Sequence, residues 1–241
     1  MRVILLICRK DCLSLLRSTL SWSAFAVYTA VTGLLFTAML RNATGTTEHL
    51  PAIFCMQLLL AICIPASMFT MNLFAHERAS GTIETLMSAP VTDAQVVLGK
   101  FLAAFIMTCL AIAIACLVLP AYLAIAAPPP RYSTLSLATG IASTTLFAAM
   151  WCSLGTLLSL LSRHQAPPAI ITLIISLAFS AAFTGNIRGL DGARTAFRID
   201  IADFSRGNAD SRIIFFAVST TLFLLFCAVR VLESRRWASS K

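Results

Sequence analysis

Charge is scarce in this sequence. Asp, Glu, Lys and Arg make up 12% of its 241 residues, about half the share of a soluble domain. Apolar residues make up 59%, and no water-soluble core of this size hides that many, because even a larger domain leaves about a quarter of its unfolded surface exposed. The scarcity excludes an ordinary globular domain and makes lipid the solvent for most of the chain. Acid is scarcer still, at 10 Asp and Glu against 18 Lys and Arg, a net charge of +8. Such a balance could suit nucleic acid, but the basic residues sit between apolar runs, where membrane edges fall, and no nucleic-acid partner is expected.

Site chemistry is also missing. The three histidines, His49, His76 and His164, are scattered over loops, and the eight cysteines lie in predicted helices. Cys8 and Cys12 are one helical turn apart without a histidine beside them and read as small apolar residues. Neither a metal nor a disulfide framework is expected. His76-Glu77 lacks the second histidine of a zinc-protease helix, and no G-x-S-x-G occurs. The one Gly-Lys pair, Gly99-Lys100, has Ala94 where a phosphate-binding loop needs Gly and Phe101 where it needs Ser or Thr. The chain is therefore not expected to be an enzyme. It has no catalytic residue, and no nucleotide or other cofactor of its own.

What the sequence does have is six apolar stretches, at about 22–40, 51–73, 99–126, 135–161, 167–184 and 213–231. Each is near the ~20 residues that a helix needs to cross a bilayer. None holds an Asp or Glu, and Lys100 and Arg230 lie near their ends. Hydrocarbon offers no partner for backbone N–H and C=O, so the runs must be helices. The fold class is an all-α integral membrane protein with six transmembrane helices in a single domain, 1–241. Charge-free helix centres disfavour an ion-coupled secondary carrier. Gln57, Asn72, Thr108, Ser143, Thr144, Thr145 and Ser176 lie at depth and are expected to bond to their own helix or a neighbour.

Val3 to Cys8 is apolar, but Arg9, Lys10 and Asp11 follow at once with no small-residue cleavage site, so a signal peptide is rejected. On a helix, Lys10, Asp11, Ser14, Arg17, Ser18 and Ser21 share one face and Cys12, Leu13, Leu16 and Leu20 the other. Residues 1–21 read as an amphipathic interfacial helix with its basic side toward anionic head groups; the alternative is an extension of the first span. Placing the N-terminus inside puts 11 basic residues (Arg2, Arg9, Lys10, Arg17, Arg78, Lys100, Arg163, Arg230, Arg235, Arg236, Lys241) on the inner side and the other 7 outside. That bias makes both termini cytoplasmic. Five of the outer seven fall in the extracytoplasmic loop 185–212. With Ile199, Ile201 and Phe204 among its charges, this loop is either a short surface or re-entrant helix or a plain polar loop.

The most informative segment is the inner loop at 74–98. Gly81 can end a helix in a left-handed conformation, and Thr82 beside it can cap another with Glu84 in its first turn. Ile83, Leu86 and Met87 share a face, Pro90 stops the helix, and Thr92 with Gln95 has capping-box spacing. This predicts a short amphipathic helix held between two spans; an ordinary connection is the alternative.

The run Glu77-Arg78-Ala79-Ser80-Gly81-Thr82-Ile83-Glu84-Thr85-Leu86-Met87-Ser88-Ala89-Pro90-Val91, continuing to Val97-Leu98-Gly99-Lys100-Phe101, resembles the signature loop of ABC-2 type transporter permeases. Ala79 stands where that family commonly has an acid. Asp203-Phe204-Ser205-Arg206-Gly207 and Leu232-Glu233-Ser234-Arg235-Arg236-Trp237 resemble the gliding-motility-type subgroup. The resemblance implies a permease of the bacterial inner membrane that pairs with a second permease, identical or not, and with two copies of a separate ATPase carrying ATP and Mg. Residues 74–98 would be the coupling loop. Glu77, Arg78, Gly81, Thr82, Glu84 and Pro90 would dock on the ATPase, with Arg163, His164 and Gln165 as a smaller contact. A companion membrane protein with a large outer domain accompanies many members of that subgroup. The implied function is outward substrate movement driven by the partner's ATP hydrolysis; a membrane scaffold anchoring a soluble or periplasmic partner is the alternative.

Overall fold

In a computed structural model of the chain, residues 2–42, 50–79, 91–119, 134–162, 164, 166–184 and 211–239 are described. They form eight principal helices: α1 (Arg2–Arg17), α2 (Thr19–Asn42), α3 (Leu50–Ala61), α4 (Cys63–Ala79), α5 (Asp93–Ala115), α6 (Thr134–Leu161), α7 (Ala166–Thr184) and α8 (Ser211–Ser239). No strand occurs among the described residues.

Among the described residues, five segments are long and apolar enough to cross a membrane: Thr19–Ala38, Ile53–Ala75, Asp93–Ala115, Leu137–Leu161 and Ser211–Ser234. The stretch predicted at 167–184 is helical as α7, but its apolar part, Ala166–Ser180, is shorter. Phe179 of α7 meets Trp151 and Phe147, midway along α6, and stacks on Phe216 of α8. Helix α7 thus rises beside α6 past its middle, and α8 returns next to it.

The second span is two helices. Pro65 has no N–H to give the Ala61 carbonyl, and its ring crowds that carbonyl. The chain accordingly turns at Ile62, between α3 and α4. The ladder resumes on either side, with Ile62 N–H donating to the Leu58 carbonyl at 3.0 Å and Ala66 N–H to Ile62 at 3.2 Å.

Helix α6 is the centre of the bundle and packs on α3, α4, α5, α7 and α8. The core runs from Phe36 and Phe54, edge to face at 5.5 Å, through Leu58, Ile62, Phe69 and Phe147 to Phe74 and Leu160. The five hydroxyls expected at depth are satisfied locally: Thr108 donates to the Ala104 carbonyl, Ser143 and Thr144 to Gly140, Thr145 to Ala142 and Ser176 to Thr172. This is the back-bonding that apolar surroundings favour. Gln57, fully buried, is different, since neither of its amide atoms has a partner.

Candidate coupling site

Helices α4, α5 and α6 bring residues 74–79, 91–98 and 159–164 to one end of the bundle, here termed the base. Helix α4 continues to Ala79 and α5 begins at Asp93, so much of the predicted 74–98 loop is helical. Val91 and Thr92 precede α5 without being helical. The predicted capping box is present: Gln95 N–H donates to Thr92 Oγ1 and Thr92 N–H to Gln95 Oε1, each at 3.4 Å. It supplies a partner for one of the helix's open N–H groups.

The backbone of Glu77 and Arg78 lies in the last turn of α4. Gly81, Thr82, Glu84, Pro90, Arg163 and Gln165, and with them the short amphipathic helix, lie outside the described residues, as does most of 185–212. His164 is exposed in a bend after α6, where its N–H donates to Ser162 Oγ at 3.2 Å and its carbonyl accepts from that hydroxyl at 2.8 Å.

The base holds contacts that sequence reasoning did not find. Lys100, whose side chain is 3% exposed, reaches Asp11 of α1 at 3.2 Å, and its ammonium lies 5.2 Å from the Phe74 ring centroid on α4. A signal for the pair existed: Asp11 is the only acid in the first 47 residues and Lys100 the only charge between Asp93 and Arg131. Two lone opposite charges in apolar surroundings are expected to find each other, since an unpaired one is costly. Ser159, fully buried on α6, sets its hydroxyl against the backbone of α4. It accepts from Phe74 N–H at 3.2 Å and Ala75 N–H at 3.3 Å, and donates to the Met71 carbonyl at 3.1 Å.

Helix α1 is seated on the first turns of α5. A side chain at Gly99 would meet Ile7 at 2.9 Å and the Ile4 carbonyl at 3.2 Å, so glycine is what lets the helices touch. Cys12 lies 3.7 Å from the Ala103 carbonyl. Burial, with Cys8 a turn away, pushes its thiol up to about 12. The chain turns at Ser18 rather than after Ser21, and Trp22 Nε1 donates to the Leu16 carbonyl at 3.0 Å across that corner. Three positions depart from the expected pattern: Asp11 faces inward to Lys100, Ser21 is fully buried beyond the corner, and Leu13 faces outward. The outer face of α1 therefore carries Arg2, Arg9, Lys10 and Arg17 together with Leu5, Leu6 and Leu13, and no acid.

These features define a polytopic helical membrane protein with a buried ion pair at one end of its bundle. Residues 5–196 match the model of the ABC-2 family transporter proteins, and the chain belongs to that family. No curated protein matches it. Membership makes it a membrane subunit of the kind that works with a separate ABC ATPase.

Proposed function

We propose that the chain is the permease subunit of an ATP-binding cassette exporter and couples ATP hydrolysis on a separate ATPase to outward movement of a substrate. The observation that carries this reading is the family match, which spans α1 to α7 and includes the whole of 74–98. Supporting it, the two helices that flank residues 80–90 are anchored at the base, α4 by Ser159 and α5 by the Lys100–Asp11 pair. A segment so held can pass on force from a soluble partner. In this reading α7 completes six spans, both termini are cytoplasmic, and the chain sits in a bacterial inner membrane. It pairs with a second permease, identical or different, and with two ATPase copies that hold ATP and Mg. Helix α1 lies at the cytoplasmic lipid interface, its four basic side chains toward anionic head groups and its three outward leucines in the acyl boundary. The gliding-motility-type assignment, and an accessory membrane protein with it, rests on 203–207 and 232–237, both beyond the matched residues.

Glu77, Arg78, Gly81, Thr82, Glu84 and Pro90 are the ATPase contact in this reading, with Arg163 and His164 beside them. The isolated chain should show no ATP turnover and should co-purify with its cognate ATPase when the two are expressed together. Glu84→Gln should weaken the complex by about 1.5–3 kcal/mol, the range for a charge-assisted hydrogen bond. Gly81→Val should impair assembly by straining a left-handed residue. Thr134→Ala, at the far end, should do neither. ATP hydrolysis by the chain alone, or full assembly and hydrolysis in both loop variants, would favour the scaffold reading.

A further inference from the structure

Four residues at the base are linked in sequence, each on a different helix. Asp11 of α1 pairs with Lys100 of α5, the Lys100 ammonium faces the ring of Phe74 on α4, and the Phe74 N–H donates to Ser159 of α6. We infer that Asp11, Lys100, Phe74 and Ser159 form a clasp that makes α1, α4, α5 and α6 shift together, with Asp11, Lys100 and Ser159 as its positioning residues.

Stability alone does not account for this arrangement. A buried ion pair is commonly no better than apolar side chains of the same volume, because desolvating two charges offsets their attraction. What it does impose is one geometry: removing either charge strands the other, so α1 cannot slide along α5 without losing the pair. The close approach at Gly99 fixes the same register by shape. Ser159 acts in the same way on α4. Its hydroxyl is bonded to three backbone groups of α4, so a displacement of α4 here moves the Ser159 hydroxyl and α6 with it. Both helices that bound residues 80–90 and the helix that leads to His164 are thereby joined to α1. That a displacement of 80–90 by an ATPase reaches the interfacial helix rests on the function proposed above; the clasp itself does not.

The test uses the full chain in nanodiscs with Cys12 as its sole cysteine, read by the rate of thiol labelling. Lys100→Met should raise that rate at least tenfold as α1 leaves its seat. Ser159→Ala touches neither α1 nor α5, yet through Phe74 and Lys100 it should raise the rate at least threefold, while Ser159→Thr, which keeps a hydroxyl, stays near the parent. Combining Lys100→Met with Ser159→Ala should give no more than Lys100→Met alone, the signature of a single connected unit. A parental rate in Ser159→Ala, or effects that simply multiply, would overturn the clasp. With the ATPase co-expressed, Asp11→Asn should still co-purify but lose at least threefold in hydrolysis; unchanged hydrolysis would overturn transmission to α1. Absence of co-purification in the parent would instead sink the ATPase reading and leave the labelling result standing.

Discussion

A methyl group does not fit where Gly155 sits. Added there, a Cβ would overlap Thr70 Oγ1 and approach Thr70 Cβ to 2.6 Å. Thr70 has little room to yield, because it is β-branched and its hydroxyl is bonded to the Ala66 carbonyl at 2.7 Å. Small residues of this kind let membrane helices approach where no hydrophobic force drives them together. Gly155→Ala should therefore destabilise the α4–α6 contact by about 1–3 kcal/mol, seen as a lower melting temperature in detergent. Gly33→Ala, with nothing within 4 Å of the added methyl, should melt like the parent. Cys12 makes a second residue-scale prediction. Its thiol is raised to about 12 by burial first and by Cys8 and Asp11 after it, whereas a free thiol titrates near ~8.5. The thiolate is the reactive form, so alkylation of Cys12 by iodoacetamide should climb about tenfold per pH unit from 7 to 10 without levelling. In Lys100→Met the climb should level above about pH 9.5 as the thiol returns toward its ordinary range; a parental plateau near pH 9 would mean that α1 is not seated.

At the scale of elements, length and apolarity were enough to place the helices. The stretch expected at 135–161 is a helix at Thr134–Leu161, and that at 22–40 lies inside Thr19–Asn42. Breaks were harder to read. Pro65 alone did not announce that the second span would divide at Ile62, because proline is tolerated in membrane helices whenever neighbours satisfy the freed carbonyl. Span ends were also blurred where charge entered a helix: Lys100 looked like an edge residue, yet α5 begins seven residues earlier. Only α7 tests the count of spans. If it crosses, cysteines at Thr134 and Arg194 should react with an impermeant reagent from outside the cell and one at His164 should not, in a background without the eight native cysteines. Labelling of positions 164 and 194 from the same side would leave five spans and put the two termini on opposite sides.

The molecule as a whole was legible where its logic is local. Capping of α5 by Thr92 and Gln95 follows from spacing, and the proposal of a coupling segment rests on a run of consecutive residues that resembles a family signature. The clasp was not legible, because its members are 63 to 148 residues apart from Asp11 and only the fold selects them from many polar residues. Its span along the chain also sets an order in time. Helix α1 is synthesised before α5, and Lys100, the counter-charge of Asp11, emerges 89 residues after it. At roughly 5–20 residues per second that delay is about 5–20 s. Throughout it Asp11 has no Lys100 to meet, and a helix carrying an unpaired carboxylate beside Arg9 and Lys10 stays at the wet surface instead of entering hydrocarbon. Helix α1 is thus seated only after α2, α3 and α4 have been made, and its arrival marks that the first turns of α5 are already in place.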